Sequence, residues 1–282
     1  MNVVASMKKP LSSVVILLAS SLLFACLQKD AGASTVEAPA AAATQGKEPD
    51  YAVWNDILSK YYNPQSGMDY KNLKGKDGKR LAALRESLSK VNVNQLDKKQ
   101  QLAYYINLYN VNVVGVVVDN YPVKSIRDIS TDPIRRLNVF EKDYVPFGNG
   151  KVALNDVENK FIRERFKDAR IHFAINCAAK DCPPIRTEAF VGARVDAQLD
   201  DQARRFLNGP TGLKISKKGE SVTVETTKVM DWFKDDFKGS GGNLAFIQKY
   251  ASADKQKAIK QAGKNVKLTY DDYDWALNDW KR

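Results

Sequence analysis

The longest periodic segment of this chain spans residues 97–119. Leu102, Tyr105, Ile106, Tyr109, Val113, Val116 and Val117 recur there at helical spacing, and Pro122 closes the run. The elements around it are shorter and mixed. Trp54, Ile57, Leu58 and Tyr61 fall at i, i+3, i+4 and i+7 and predict an opening helix, and Leu81, Leu84 and Leu88 mark a second. A short strand suits 67–71, and segments 140–145 and 151–154 flank Phe147-Gly148-Asn149-Gly150 as a hairpin. Ser125 with Asp128 predicts a short capped turn of helix, and Asn155 with Glu158 a capped helix reaching Phe166. Residues 171–176 alternate strictly, as a strand would, with Ile171, Phe173 and Ile175 on one face and His172, Ala174 and Asn176 on the other. Later segments predict a helix over 196–207, a hairpin over 213–225 turning at Lys218-Gly219, helices over 228–237 and 243–250, and a strand over 266–270. Helices and strands follow no regular βαβα order. The expected class is α+β, a single domain with helices around a small, mainly antiparallel sheet.

The domain is expected over 50–282. Residues 1–25 carry Lys8 and Lys9 and then an uncharged apolar run from Leu11 to Ala25, the pattern of a secretory signal, and the run is short for a membrane span. Leu23-Phe24-Ala25-Cys26 resembles a lipoprotein processing site, which would make Cys26 a lipidated N-terminus and tie the protein to a membrane. Ala31-Gly32-Ala33 offers a competing cleavage that would release a soluble periplasmic protein. Residues 26–49, rich in Ala, Pro, Thr, Gly and Glu, have too few large apolar side chains to fold and read as a tether. The expected location is the bacterial cell envelope.

The formal charge of +11 falls to +9 once Lys8 and Lys9 are removed. The basic residues are interspersed with acids and form no helix face or aromatic nucleic-acid motif, so no nucleic-acid partner is expected. There is no Gly-rich phosphate loop, no G-x-S-x-G elbow and no Cys-x-x-Cys, and His172 is the only histidine. A metal centre of several imidazoles is thereby excluded, and no cofactor is expected.

Two places stand out chemically. Asn107, Asn110 and Asn112 interrupt the long helix beside Val113-Val114-Gly115-Val116, all weak helix formers. They either hold backbone in place or bind a ligand. The densest cluster runs from Asp168 through Arg170, His172, Asn176, Cys177 and Cys182 to Pro183-Pro184. Once Cys26 is lipidated or lost, Cys177 and Cys182 are an even pair in an oxidising compartment, and a disulfide is expected between them.

Tyr104-Tyr105-Ile106-Asn107-Leu108-Tyr109-Asn110, Tyr121-Pro122-Val123-Lys124-Ser125-Ile126, the stretch from Leu154 to Glu158, the Asp168 to Pro184 block, Asp231-Trp232-Phe233 with Asp236-Phe237, and Tyr273-Asp274-Trp275-Ala276-Leu277-Asn278 together resemble the family known as domain of unknown function 547. That family usually has Pro where Ala169 stands. The resemblance implies membership without implying a reaction.

Two functions compete. The first is a tethered binding or assembly module whose polar cleft, formed by Asn107, Asn110, Arg170 and Asn176 with His172 and Glu158, takes a small polar ligand, a peptide or a glycan. The second is a cysteine-dependent hydrolase or acyltransferase with Cys177 as nucleophile, His172 as base and Asn176 or Asn110 orienting or stabilising charge, Glu158 being a further catalytic candidate. On a straight strand Cys177 and His172 would face opposite sides, which counts against the second. Papain-like and transglutaminase-like enzymes also place their cysteine on a helix ahead of the histidine, where this chain has Asn107 and Asn110.

Overall fold

The structure, a computed structural model, describes residues 46–129 and 138–280. The expected signal, Cys26 and most of the tether lie outside the described residues. The last tether residues already touch the domain: the Gly46 N–H donates to the Gln95 carbonyl at 2.7 Å, and Glu48 accepts the Gly192 N–H at 2.7 Å. Among the described residues, no helix is long and apolar enough to cross a membrane.

The chain opens with α1 (Ala52–Tyr61), a small hairpin of β1 (Tyr62–Asn63) and β2 (Gly67–Met68), and α2 (Tyr70–Ser89). The long helix follows as α3 (Lys98–Asn120). Asp97 caps it, accepting the Lys99 and Gln100 N–H groups while the Gln100 side chain accepts the Asp97 N–H, so donors that the first turn cannot pair are satisfied. The sequence predicts one inner stripe, yet every residue from Leu102 to Val118 is buried. The segment is apolar almost all round, and such a helix belongs inside a protein.

Burial on all sides explains the three asparagines, since a buried amide must find partners. Asn107 donates to the Phe190 carbonyl at 2.7 Å and accepts the Phe190 N–H at 3.0 Å. Asn110 donates to the Ala174 carbonyl at 2.8 Å and accepts the Asn176 N–H at 2.9 Å. Asn112 donates to Leu108 of its own helix and accepts Arg85 Nε at 3.0 Å. Arg85 crosses the helix over Gly115, where a Cβ would lie 2.6 Å from its side chain.

After α3, the sequence-predicted turn forms as a 3-10 segment, Ile126–Asp128, capped by Ser125. The expected hairpin forms from β3 (Asp143–Phe147) and β4 (Gly150–Ala153). The following helix starts one residue before Asn155, which therefore does not cap it. It comprises α4 (Leu154–Asp156), a π-helical stretch Val157–Arg163 and α5 (Glu164–Phe166).

The strand expected over 171–176 is not one. Residues Ala169–Phe173 form a 3-10 helix capped by the Asp168 side chain, which accepts the Arg170 N–H at 3.0 Å. The alternation has a different cause. At three residues per turn, positions two apart diverge by roughly 120°, so Ile171 enters the core around α3, while Phe173 enters a second core and stacks on Phe246 at 5.4 Å.

That second core lies under the C-terminal elements. These are α6 (Val195–Asn208), a hairpin of β5 (Leu213–Lys218) and β6 (Ser221–Thr226), α7 (Lys228–Trp232), α8 (Asn243–Tyr250), α9 (Ala253–Ala262) and β7 (Val266–Tyr270). Strand order is β5-β6-β7, with β5 and β6 antiparallel and β6 and β7 parallel. The α9 helix has no counterpart in the sequence reading because it buries only Ile259 and shows little apolar period. The fold is α+β, and the described strands form three small sheets. From β7 the tail runs back across the molecule. Asn278 receives the Met68 N–H on its carbonyl at 2.9 Å and donates its own N–H to Ala178 at 3.0 Å, and the Lys180 N–H reaches Ala276 at 2.9 Å.

Candidate functional site

Where the two cores meet, a cavity of about 360 Å³ opens to the surface. The α3 side contributes Tyr109 and the π stretch Glu158. The 3-10 helix and the loop after it contribute His172, Cys177 and Cys182, and the C-terminal elements contribute Trp232, Phe233, Tyr273 and Trp275. The lining is largely aromatic, and the polar groups converge at a few points.

His172 is buried with its ring stacked on Phe233, centroids 4.2 Å apart. Its Nε2 lies 2.7 Å from Asp236 Oδ2, and Arg163 grips both oxygens of the same carboxylate at 2.6 and 3.0 Å. Burial pulls the imidazole below its ordinary pKa, against the opposing pull of Asp236. Burial would raise the Asp236 carboxyl, yet hydrogen bonds from His172 and Arg163 hold it well below the usual carboxylate range. The ring is therefore neutral at pH 7 and Nε2 carries the proton donated to Asp236. Removing the carboxylate strands both partners. Asp236→Ala is expected to lower stability by about 2 kcal/mol by urea unfolding, less than the roughly 3–5 kcal/mol of a fully buried broken pair, since both charged groups are a quarter exposed. An unchanged midpoint would contradict this reading.

Glu158 faces the same cavity, with Tyr109 Oη 3.4 Å from its Oε2. Burial pushes its carboxyl up to about 7, while Arg163 and the Tyr109 hydrogen bond pull the other way and Asp236 adds to the rise. Near neutral pH this group is present both as an acid and as a carboxylate.

The disulfide expected between Cys177 and Cys182 is absent, and both are free thiols. Their sulfurs lie 2.9 Å apart, well beyond the ~2.05 Å of a covalent bridge. Hydrogen bonds hold the pair together: the Cys177 N–H points to Cys182 Sγ at 2.9 Å, and Tyr273 Oη lies 3.1 Å from Cys177 Sγ. Burial would raise the Cys177 thiol, but contacts with Cys182, Tyr273 and the Ala179 N–H outweigh it and bring the thiol below its ordinary value. Burial and the neighbouring sulfur push Cys182 far up. The sharp turn after Cys177 has Ala178 in the left-handed region at φ 60°, and Asn176 Oδ1 holds it by accepting the Ala178 N–H at 2.8 Å.

Of the sequence candidates, the cavity gathers His172, Glu158, Cys177 and Cys182. Asn107 and Asn110 stay inside, bound to backbone. Asn176 does not line the cavity: it donates to the Pro183 carbonyl at 2.8 Å and braces the turn. Arg170 points away, paired with Asp168, Asp196 and Asp200. The polar cleft expected from these four is thus an aromatic-walled cavity with other polar groups. His172 and Cys177 do line one cavity, because the 3-10 geometry removes the strand argument that separated them. Sequence reasoning gave no role to Asp236, Arg163, Tyr109, Trp232, Tyr273 or Trp275. Several of them sit in the stretches that carry the family resemblance, which was the signal available.

These features define an α+β protein with a thiol pair and an elevated carboxyl in an aromatic cavity between two cores. Residues 93–207 match the model of the family described as "Protein of unknown function, DUF547", and this segment belongs to that family. The match ends before Trp232, Asp236 and Tyr273, so the C-terminal half of the site is supplied from outside the matched segment. No curated protein and no solved structure matches the chain.

Proposed function

We propose that the protein is a binding module of the bacterial envelope, tethered through lipid at Cys26, whose cavity receives an apolar or aromatic side chain of a peptide segment. The observation that carries this reading is the wall itself. Trp232 and Trp275 are stacked with centroids 5.8 Å apart, Tyr273 packs against both, and Trp232 is 45 % exposed. An exposed aromatic at the mouth of a concave, mainly apolar site marks a place where a ligand is desolvated. The lining is mainly apolar, which suits the side chain of a peptide better than a glycan, whose buried hydroxyls each carry a penalty when left unpaired. A peptide side chain buries apolar surface and leaves its backbone at the mouth.

Blocked tripeptides with a central Phe, Leu or Ser, titrated against the mature chain and read by tryptophan fluorescence, test this. The Phe peptide is expected to bind best and to weaken roughly tenfold in Trp232→Ala, in line with loss of one aromatic contact. Equal response to all three peptides would sink the proposal. The tether has its own test: Cys26→Ser is expected to move the protein from the membrane fraction to the soluble one, or to block its maturation. A wild-type N-terminus found at Ser34 would contradict lipidation.

A further inference from the structure

Glu158 and the two cysteines give the cavity more reactive chemistry than binding requires. Acyl transfer is not what the sulfurs are arranged for, because among the described residues no hydrogen bond joins His172 to either sulfur, and the neighbour of Cys177 Sγ is a second thiol at 2.9 Å. Such a pair, one sulfur more acidic than the other and both lining a cavity, suits attack followed by resolution. The loop is also held from outside. The Asp274 N–H donates to Asp181 at 2.6 Å, Lys180 and Ala178 are tied to the tail, and Asn176 is tied to Asn110, so the sulfurs keep their spacing while a substrate approaches.

We propose that Cys177 and Cys182 act as a dithiol that exchanges with a disulfide carried by the bound peptide, Cys177 attacking and Cys182 resolving. The Cys177 thiolate bonds to one sulfur of the substrate disulfide, whose S–S bond breaks, and the departing sulfur takes up a proton. Cys182 then bonds to Cys177 Sγ, the mixed disulfide breaks, and the proton of Cys182 goes to the second peptide sulfur. Two electrons pass from the protein to the substrate, giving two peptide thiols and an oxidised Cys177–Cys182 pair, which is here a product and not the resting state. Tyr273, donating to Cys177 Sγ, steadies the thiolate between steps. The exchange rests on the peptide reading for what enters the cavity, but its chemistry is tested separately.

The probe is a synthetic peptide disulfide with Phe beside each cysteine, added to the reduced mature chain and followed by mass spectrometry. Wild type is expected to release both peptide halves as thiols and lose two hydrogens, and Cys182→Ser to accumulate a peptide adduct on Cys177. Cys177→Ser is expected to react roughly tenfold more slowly or less, as its remaining thiol is the less acidic. Iodoacetamide on folded wild type, which needs no variant, is expected to label Cys177 first. Cys182 labelled first, Cys177→Ser as fast as wild type, or no adduct in a folded Cys182→Ser would each overturn the exchange. The same peptide with Ser for Cys reports binding alone: binding without exchange rejects this inference and keeps the proposed function, and exchange without preference for Phe does the reverse.

Discussion

Asn110→Ala is expected to lower stability by about 3–4 kcal/mol, since two buried backbone groups lose their partner at roughly 1–3 kcal/mol each. Its amide is the only side-chain link from α3 to the Ala174 carbonyl and the Asn176 N–H, which lie in the dry interior where water cannot replace it. Asn112→Ala is the control. Its donor goes to a carbonyl of its own helix and its acceptor to Arg85, which also has Asp119, so about 1 kcal/mol is expected. Because Asn176 precedes Cys177, the Asn110 variant should also show faster alkylation of Cys177. Urea midpoints that shift equally for the two variants would contradict the assignment of Asn110 as the clamp of this loop.

Glu158→Gln is expected to remove a pH dependence of stability worth up to about 3 kcal/mol, from a carboxyl raised from its ordinary 4.5 to about 7. The folded state holds the proton more tightly than the unfolded chain. Its contribution is therefore complete below about 4.5, falls as pH rises toward 7 and is gone above that. His172 works in the opposite sense: burial lowers its folded pKa, so it contributes above its ordinary 6.5 and is lost as pH falls. The groups facing Glu158 are Tyr109 from α3, Arg163 from its own stretch and Asp236 from beyond α7. Comparing unfolding of wild type and variant between pH 5 and pH 8 isolates the carboxyl. The variant should gain relative to wild type at pH 8, and parallel curves would show that Glu158 is ionised throughout.

The elements most legible in the sequence were those whose packing follows one period. The long helix was found within a residue at each end because its apolar run and its Asp97 and Pro122 boundaries agree. The hairpin at Gly148 was found because its turn residues are distinctive. The 171–176 segment misled because strict alternation suits a strand with one buried face and equally a 3-10 turn shared between two cores, and only the second core decides between them. The asparagines of α3 were singled out correctly as out of place in a helix. The sequence could not say whether their partners were ligand or backbone, and burial on every side makes them backbone. The site was legible in its cysteines, His172 and Glu158, which lie within one short span. Asp236 and Tyr273 are distant in sequence and reach the cavity through loops and a tail that no local pattern places.

The π-helical stretch Val157–Arg163 has a consequence for how this site tolerates length changes. In an ordinary α-helix, residues five apart point roughly 140° away from each other. In the wider turn, where the Glu164 N–H bonds back to Asn159 five residues earlier, such residues come together. Glu158 and Arg163 are five apart, and the turn lets the carboxyl and the guanidinium that tempers it address one site. Winding the stretch as an ordinary α-helix at its present length would swing one of the two out of the site, whereas deleting a single residue between them would leave them four apart, which in an α-helix is again one face. Winding and residue count are therefore matched between Glu158 and Arg163: five residues need the wider turn and four would need an α-helical one to keep the carboxyl and the guanidinium together.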